Sequence, residues 1–237
     1  MNLRRGLVLL AGLAASAPLL AVTPGAGAAP EDDATCRGVP ATIVGAGELV
    51  GTPGDDVIVA TRPSTKVRAG KGDDLVCGSR LVRGQAGDDR IHYAGRATTR
   101  DSLHIVGGAG SDVIRFHGEQ DFPAMGTREG VYGGPGADLM VGAGGALWFS
   151  GGWGDDRLIS GPGGDLLDGD GGDDVLLGGS GQEIMSGGRG DDELRGRAHS
   201  DDLSGGPGRD EVWGGPDWDV CARGNEIEHS CESDTWV

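Results

Sequence analysis

A nine-residue unit recurs ten times without a gap between Gly133 and Ala222. Its clearest copies begin at Gly133, Gly151, Gly187 and Gly205 and read GGPGADLMV, GGWGDDRLI, GGRGDDELR and GGPGRDEVW. The shared pattern is Gly-Gly-x-Gly-x-Asp-x-apolar-x. A period this short and regular restricts the chain to a repeat architecture, in which each coil stacks on the next one.

Each position of the unit has a physical role. Three glycines in four positions let the backbone adopt positive φ angles and bring several carbonyl groups close together. The Asp at position six adds a carboxylate to that turn. Positions seven to nine are long enough only for a short strand, in which the apolar residue at position eight points inward and its neighbours point outward. Two units therefore make one coil of eighteen residues.

This pattern resembles the RTX (repeats-in-toxin) family of calcium-binding nonapeptide repeat proteins, over roughly Thr42 to Ala222. The resemblance implies an all-β fold, a right-handed parallel β-roll (β-solenoid) of 18-residue coils with Ca²⁺ ions held in the turns. The chain differs from the family's usual form because it has an N-terminal secretion signal and no catalytic domain beside the repeats. It therefore resembles a free-standing secreted member.

The composition also indicates that metal is needed. Glycine and proline (49 and 11 of 237 residues) are abundant, aromatic residues make up 4%, and the formal net charge is -17. Such a chain offers little apolar surface to offset the entropy of ordering its backbone. The negative charge argues against nucleic acid or an anionic membrane as partner and favours cations. We also expect no stable membrane insertion.

The first 28 residues are typical of a secretory signal peptide. Arginines near the start precede an apolar run from Leu7 to Val22, and a small-residue site follows. A transmembrane anchor is the alternative, but Ser16 and Pro18 interrupt the run. We expect a secreted, extracellular protein. Its parts are a signal peptide (1–28), an N-terminal segment and cap (29–41), irregular repeats (42–132), regular nonapeptides (133–222) and a C-terminal cap (223–237).

Four cysteines, an even number in a secreted chain, predict two disulfide bonds with three possible pairings. We prefer Cys36 with Cys77 and Cys221 with Cys231. Cys221 occupies the inward position of the last repeat, so a bridge to Cys231 would fold the tail over the open end. Zinc binding is the alternative, but CxxC spacing is missing.

Upstream of Gly133 the spacing of the units varies. Residues 78–83 are three short of a unit, whereas 93–106 and 116–132 are five and eight too long. Placing these segments on one edge of the roll restores a single stack. The other edge then collects nine intact loops, which start at 51, 69, 84, 107, 133, 151, 169, 187 and 205. We predict an asymmetric roll, with up to eight Ca²⁺ ions along the intact edge and few or none along the eroded edge.

The family resemblance assigns the calcium ligands to the position-six carboxylates, together with backbone carbonyls of the turns. On the intact edge these are Asp56, Asp74, Asp89, Asp112, Asp138, Asp156, Asp174, Asp192 and Asp210. On the eroded edge the weaker candidates are Asp165, Glu183, Asp201 and Asp219. Calcium suits such ligands because it accepts six to eight oxygens in irregular geometry. Adjacent carboxylates should also resist ionising together until a cation separates them.

The sequence predicts a calcium-dependent structural, adhesive or surface-interaction module rather than an enzyme. It contains no GxSxG elbow, HExxH motif or P-loop, and its five histidines form no metal-binding pattern. A secreted hydrolase or polysaccharide-acting enzyme on a parallel β scaffold is the alternative. Partners other than calcium could be an extracellular glycan, the cell wall or another protein. A sugar-binding patch would use the outward or turn tryptophans Trp148, Trp153, Trp213 and Trp218; the insertion carrying Phe122, Met125 and Tyr132 is a second candidate surface.

Overall fold

The structure, a computed structural model, describes residues 34–94, 103–118, 130–222 and 227–231. The expected signal peptide at 1–28 lies outside the described residues, as do Phe122 and Met125 of the long insertion. Within the described ranges the chain forms strands, turns and bends, and none of its segments is a helix long and apolar enough to cross a bilayer.

The strands are short and evenly spaced. In the first half they are β1 (Thr35–Cys36), β2 (Val39–Pro40), β3 (Ile43–Gly45), β4 (Glu48–Val50), β5 (Val57–Ala60), β6 (Lys66–Lys71), β7 (Leu75–Cys77), β8 (Leu81–Ala86), β9 (Arg90–Tyr93), β10 (His104–Ala109), β11 (Val113–Phe116) and β12 (Gly130–Pro135). In the second half they are β13 (Leu139–Val141), β14 (Trp148–Trp153), β15 (Arg157–Ile159), β16 (Leu166–Gly171), β17 (Val175–Leu177), β18 (Ile184–Arg189), β19 (Glu193–Arg195), β20 (Asp202–Ser204), β21 (Glu211–Trp213), β22 (Val220–Cys221) and β23 (Ile227–His229).

Two parallel sheets face each other and advance together along the chain. Odd-numbered strands from β3 to β23 form one sheet, the odd sheet, and even-numbered strands from β4 to β22 form the other, the even sheet. Each strand pairs in parallel with the strand one coil away, as Leu158 does with Leu176 and Leu176 with Leu194. The predicted parallel β-solenoid of roughly 18-residue coils is therefore confirmed.

The interior is a column of position-eight side chains from both sheets. Alternation along each strand turns these residues inward, and β-branched and other apolar side chains suit such a pleated surface. In the odd sheet the buried residues are Ile58, Val76, Ile91, Ile114, Met140, Leu158, Leu176, Leu194 and Val212. In the even sheet they are Val67, Val82, Ile105, Val131, Phe149, Leu167, Met185, Leu203 and Cys221. The core is continuous but narrow, because most strands contribute only this one residue; Ala60, Tyr93 and Phe116, for example, add a second buried side chain in β5, β9 and β11.

Most strands of the even sheet are longer than the three residues expected from the repeat. The strands from β6 to β18 run through positions one to three of the following loop, so β14 ends at Trp153 rather than at Ser150. Glycine at position two makes this possible, because Gly152 continues the strand at a φ of 114° that other residues rarely adopt. The first half of each glycine turn on this edge is thus part of the sheet.

Both preferred disulfides are present. Cys36 pairs with Cys77 and joins the antiparallel β1–β2 hairpin to β7, with a Cα–Cα distance of 5.6 Å. Cys221 pairs with Cys231 at 5.8 Å. The C-terminal tail was expected only to cover the open end of the roll. Its strand β23 also adds a further parallel strand to the odd sheet, beside β21. Zinc binding by these cysteines is therefore ruled out.

Candidate metal centre: a ladder of buried carboxylates

All nine position-six Asp residues of the intact loops lie on one edge of the roll. We call it the ladder edge; it consists of the turns that lead from the even sheet to the odd sheet. Each carboxylate stands directly before a strand of the odd sheet and is almost fully buried, with 0 to 6% of the residue exposed. The irregular segments fall on the opposite edge, as the spacing predicts, because the sequence separation of successive ladder residues changes from 18 to 15, 23 or 26 while the register is kept.

Neighbouring carboxylates on the ladder edge are linked through the backbone. The N–H of each Asp donates a hydrogen bond to Oδ1 of the Asp one coil further along the chain. The same bond occurs eight times, from the Asp56–Asp74 pair to the Asp192–Asp210 pair, at 2.7 to 2.9 Å. These bonds fix the orientation of every carboxylate, so the other oxygen of each group faces the same way in every coil.

That other oxygen, Oδ2, has no hydrogen-bond partner among the described residues. This holds for Asp74, Asp89, Asp112, Asp138, Asp156, Asp174, Asp192 and Asp210. A buried acceptor left unpaired costs about 1 to 3 kcal/mol, and more when the group is charged. Eight such groups in one column are not compatible with a stable roll unless a cation or protons satisfy them.

In eight of the nine ladder loops the space around Oδ2 exists because position one is glycine; Ala69 occupies this position in the loop of Asp74. A Cβ atom on Gly133 would overlap both Oδ2 of Asp138 and the carbonyl oxygen of Gly151 in the next coil. The same holds for Gly151 with Asp156 and the carbonyl of Gly169, and for Gly169 with Asp174 and the carbonyl of Gly187. A carboxylate oxygen and a main-chain carbonyl oxygen thus converge at each junction between coils.

The environment raises the pKa of these carboxyl groups. Burial is the main cause, and the charges of neighbouring Asp residues add to it, while the backbone hydrogen bond to Oδ1 acts in the opposite direction. The pKa rises from 3.8 to about 7 for Asp89, Asp112, Asp156 and Asp174 and to about 6 for Asp74, Asp138 and Asp192. Repulsion between carboxylates was expected from the sequence, but desolvation contributes more.

Asp56, in the first coil, differs from the other members. Its Oδ2 accepts a 2.6 Å hydrogen bond from the backbone of Thr52, and its Oδ1 accepts a 3.1 Å bond from the Thr42 hydroxyl. Burial opposes ionisation here, but the bonds from Thr52 and Thr42 outweigh it and lower the pKa of Asp56. Protein groups therefore already satisfy this carboxylate without a cation.

A second row of Asp residues, which was not predicted from the sequence, runs beside the ladder at position five. In this row the direction of the bond is reversed, because Oδ1 of Asp55 accepts from the N–H of Asp73 in the next coil, and Oδ1 of Asp173 accepts from Asp191. These side chains are exposed. The Asp-Asp doublets at positions five and six were the available signal, and only the structure separates an exposed carboxylate from a buried one.

The opposite edge is uneven along its length. Among the described residues, those directly before the even-sheet strands of the earlier coils are Gly47, Thr65, Arg80, Leu103 and Leu147, whereas Asp165, Glu183, Asp201 and Asp219 occupy this position later. All of them except Gly47 and Arg80 are buried. Asp201 and Asp219 repeat the ladder bond, since their Oδ1 atoms accept from the N–H groups of Glu183 and Asp201 at 2.8 and 2.9 Å. The contrast between the two edges therefore applies mainly to the N-terminal half of the roll.

Two buried acidic oxygens on the opposite edge, Oε1 of Glu183 and Oδ2 of Asp201, also have no hydrogen-bond partner among the described residues. The pKa of Glu183 rises to about 8 and that of Asp201 to about 6, with burial as the main cause. Asp165 differs because its Oδ2 accepts from the N–H of Gly161 at 3.1 Å. The later coils can thus present unsatisfied carboxylates on both edges.

The donor atoms along the ladder are suited to calcium. In the described part of the chain no three His, Cys, Asp or Glu side chains cluster as a metal site. A cation must therefore be held by spaced carboxylates together with backbone carbonyls, and Ca²⁺ accepts many oxygen ligands in flexible geometry. The coil spacing of about 4.8 Å suits an ion placed between two adjacent loops, since Ca–O distances are about 2.3 to 2.6 Å.

The repeats match the family model of the RTX calcium-binding nonapeptide repeat (four copies) at residues 104–122, 131–146, 150–182, 177–212 and 196–225. The repeats of this chain are RTX calcium-binding nonapeptide repeats. The match confirms the resemblance stated from the sequence, and RTX nonapeptide repeats bind calcium. Calcium is therefore the metal that the family match indicates for these repeats. No curated protein and no solved structure gives a significant match to the chain.

Proposed function

We propose that this RTX protein is secreted and that its β-roll folds as Ca²⁺ ions fill the junctions between coils. In the extracellular space it would then serve as a rigid structural, adhesive or surface-interaction module. The observation that carries the proposal is the buried, unpaired Oδ2 atom repeated in eight successive coils of the ladder edge. A cation at each junction removes the cost of burying these atoms and reverses the repulsion between the carboxylates.

The ladder-edge ligands in this proposal are the position-six carboxylates from Asp74 to Asp210, with carbonyls of the adjoining turns. Asp56 would contribute least, because Thr42 and Thr52 already bond its oxygens. Glu183, Asp201 and Asp219 would hold further ions on the opposite edge, and Asp165 would adjoin them. This extends the sequence-based prediction, in which the opposite edge carried few ions or none.

Calcium binding and folding are coupled in this proposal for a geometric reason. Each junction takes ligands from two coils, so its geometry does not exist in the unfolded chain, and the free energy of binding contributes directly to folding. Extracellular calcium modules typically bind in the range of about 0.1 to 1 mM. The chain would therefore stay unfolded or loose where calcium is scarce and fold outside the cell.

Two features support an extracellular location. Disulfide bonds persist in oxidising compartments, and this chain has one near each end of the roll. The first 28 residues have the composition of a secretion signal. An N-terminal label that is present on the intracellular chain and missing from the chain recovered from the medium would support this route. Retention of the full-length chain in a membrane fraction would contradict it.

We infer that the protein acts by binding rather than by catalysis. RTX β-rolls are typically structural, and the buried carboxylates are accounted for by the ladder. A panel of glycoside, ester and peptide substrates tested with calcium-loaded protein checks this inference. Turnover that disappears in a carboxylate variant with intact calcium binding would favour the alternative, a secreted hydrolase or polysaccharide-acting enzyme.

The sharpest test of the ladder compares two adjacent carboxylates in one loop. Asp156 is 2% exposed and belongs to the ladder, whereas Asp155 belongs to the exposed position-five row. Asp156→Asn keeps the Oδ1 acceptor but replaces the unpaired oxygen with an amide, and we expect calorimetry to show fewer bound ions and weaker affinity. Asp155→Asn is the matched control and should leave stoichiometry unchanged. Equal loss in both variants would contradict the assignment of the buried row.

A further inference from the structure

An exposed tryptophan stands beside a shallow groove on the outer face of the even sheet. Trp153 is 70% exposed although it lies within strand β14. The groove beside it measures about 350 Å³ and is lined by Gly152, Trp153, Asp170, Gly171 and Arg189. It thus combines a flat aromatic surface with a carboxylate and a guanidinium group, on the outer face of the even sheet where its strands enter the ladder-edge turns.

The groove is produced by three residues in register on successive coils. Trp153 pairs with Gly171, and Gly171 pairs with Arg189. A Cβ on Gly171 would lie 3.9 Å from the Trp153 ring, so the ring lies next to the glycine backbone, and no side chain separates it from Arg189. With strands about 4.8 Å apart, the groove spans roughly 10 Å between these two side chains. That length fits one to two sugar rings.

Asp170 occupies position two of its loop, where most ladder loops have glycine and the other exceptions are Thr52 and Gln85. The same position holds Gly134, Gly152, Gly188 and Gly206 in nearby coils, all at positive φ. Asp170 adopts a φ of 71°, which costs a residue with a Cβ of the order of 1 kcal/mol. Its Oδ2 accepts a 2.6 Å hydrogen bond from the Ser150 hydroxyl, which orients the carboxylate. A glycine at this position would relieve the backbone strain, but Asp170 keeps the strain and places its side chain in the lining of the groove.

The other tryptophans do not form an equivalent surface. Trp148 packs edge-on against Tyr132, with ring centroids 5.8 Å apart. Trp213 is covered on its faces, since His229 stacks on it at 5.1 Å and the Arg195 guanidinium lies 4.8 Å from its centroid. Trp218 is 61% exposed but lies in a turn of the opposite edge, away from this groove. The broad tryptophan patch considered from the sequence is therefore reduced to Trp153.

We propose that the Trp153 groove binds a neutral pyranose glycan, and this inference rests on the proposed role as a surface-interaction module. The apolar face of a sugar ring would stack on Trp153, and its hydroxyl groups would bond to the Asp170 carboxylate and the Arg189 guanidinium. Aromatic rings provide a large contact area at low entropic cost, and charged groups form the stronger hydrogen bonds. A neutral ligand is required because the protein carries a formal charge of -17, which disfavours acidic polysaccharides.

The test measures binding to calcium-loaded, full-length secreted protein by calorimetry and tryptophan fluorescence. The probes are cellohexaose, chitohexaose, soluble mixed-linkage β-glucan and galactan, with polygalacturonate as the anionic comparison. We expect binding to at least one neutral probe. Trp153→Ala and Arg189→Ala should each weaken it by about tenfold or more. Trp218→Ala is the matched control for loss of an exposed tryptophan and should bind as the unmodified protein does.

Asp170→Gly separates binding from folding. Glycine restores the repeat consensus and relieves the positive φ, so this variant should melt at the same or a higher temperature and take up calcium normally, yet bind the glycan about tenfold more weakly. Protein that takes up calcium and folds but binds none of the neutral probes would overturn the inference and leave the proposed calcium function intact. Binding restricted to polygalacturonate, or unaffected by Trp153→Ala, would also overturn it. Failure to bind calcium would instead refute the proposed function.

Discussion

The backbone N–H of Asp156 donates a 2.7 Å hydrogen bond to Oδ1 of Asp174, one coil further along the chain. The carboxylate of Asp156 in turn accepts the same bond from Asp138, also at 2.7 Å. Each ladder Asp from Asp74 to Asp192 therefore donates its backbone N–H to the next coil and accepts a hydrogen bond from the previous coil. One carboxylate oxygen is used to hold adjacent coils together, and the second remains unpaired in the interior. The fold thus leaves a row of buried negative groups without positive partners, which calcium would satisfy under the proposed function.

The stability of the metal-free roll should fall as pH rises. Burial raises the pKa of Asp89, Asp156 and Asp174 from 3.8 to about 7. Between pH 4 and 7 the folded chain consequently retains protons that the unfolded chain has released, and this contribution to stability is lost as pH increases through that window. In chelator, the melting temperature measured by circular dichroism should be higher at pH 5 than at pH 8.

Calcium should reverse this dependence, because protons and Ca²⁺ compete for the same carboxylates. At saturating calcium we expect the melting temperature to rise from pH 5 to pH 8, and the apparent affinity to weaken below about pH 6. A chelator-treated chain that becomes more stable between pH 5 and pH 8 would show that the ladder carboxylates are ionised without metal, contrary to the raised pKa values.

Position-one glycines should be intolerant of even one methyl group. In Gly151→Ala the new Cβ would overlap Oδ2 of Asp156 and the carbonyl of Gly169, so we expect loss of bound calcium and destabilisation by about 2 kcal/mol or more. Gly171→Ala is the matched control in the next coil, since its Cβ would meet only ordinary contacts at 3.9 to 4.0 Å. Calcium calorimetry and thermal melts of the two variants check this. Equal behaviour of the variants would argue against a cation at that junction.

The C-terminal half of the opposite edge should bind calcium as well. Asp201→Asn removes a buried oxygen without a described partner, so stoichiometry should fall relative to the unmodified chain. The control is Asp202→Asn, because Asp202 is adjacent but exposed and faces outward from β20. Anomalous scattering from crystals grown in calcium would locate the ions directly. Density confined to the ladder edge would refute this extension and restore the one-edged roll expected from the sequence.

The Cys221–Cys231 disulfide should stabilise the last coil in particular. It closes a short loop and holds β23 beside β21, where His229 stacks on Trp213. The double variant Cys221→Ser with Cys231→Ser should lose about 2 to 3 kcal/mol. We expect amide exchange to accelerate at Glu211–Trp213 and tryptophan fluorescence to change. Exchange that accelerates uniformly along the roll would contradict a local role for this bond.

Much of the fold follows from the nonapeptide period. The alternation at positions seven to nine predicts that Leu158 and Leu176 point inward. The deviations from the 18-residue spacing assign the irregular segments to one edge of the roll. The extension of the even-sheet strands to Trp153 was not predicted, because it depends on glycine φ angles that the pattern permits but does not require. The burial of Asp165 and Asp201 was not predicted, because the number of positions that match the repeat pattern does not measure packing.

Contacts created by irregular segments were also beyond the sequence. His92 and His117 are 25 residues apart and looked unrelated, but the intervening insertion brings their ring nitrogens to 3.0 Å. Burial, with the nearby charges of His117 and Arg37, lowers the pKa of His92 to about 4. His92 is therefore a half-buried side chain that faces a second histidine. No periodic pattern could show this pair, because the length of the insertion sets its register.

The most direct test of the central claim is a far-ultraviolet circular dichroism titration of the purified secreted chain at pH 8, from excess chelator to about 10 mM calcium. We predict a loose or unfolded spectrum without metal. A cooperative transition to β structure should accompany the binding of roughly eight ions along the ladder edge, with additional ions on the opposite edge. A full β spectrum and an unchanged melting temperature in chelator would show that the narrow apolar column suffices, and that calcium is not what stabilises this roll.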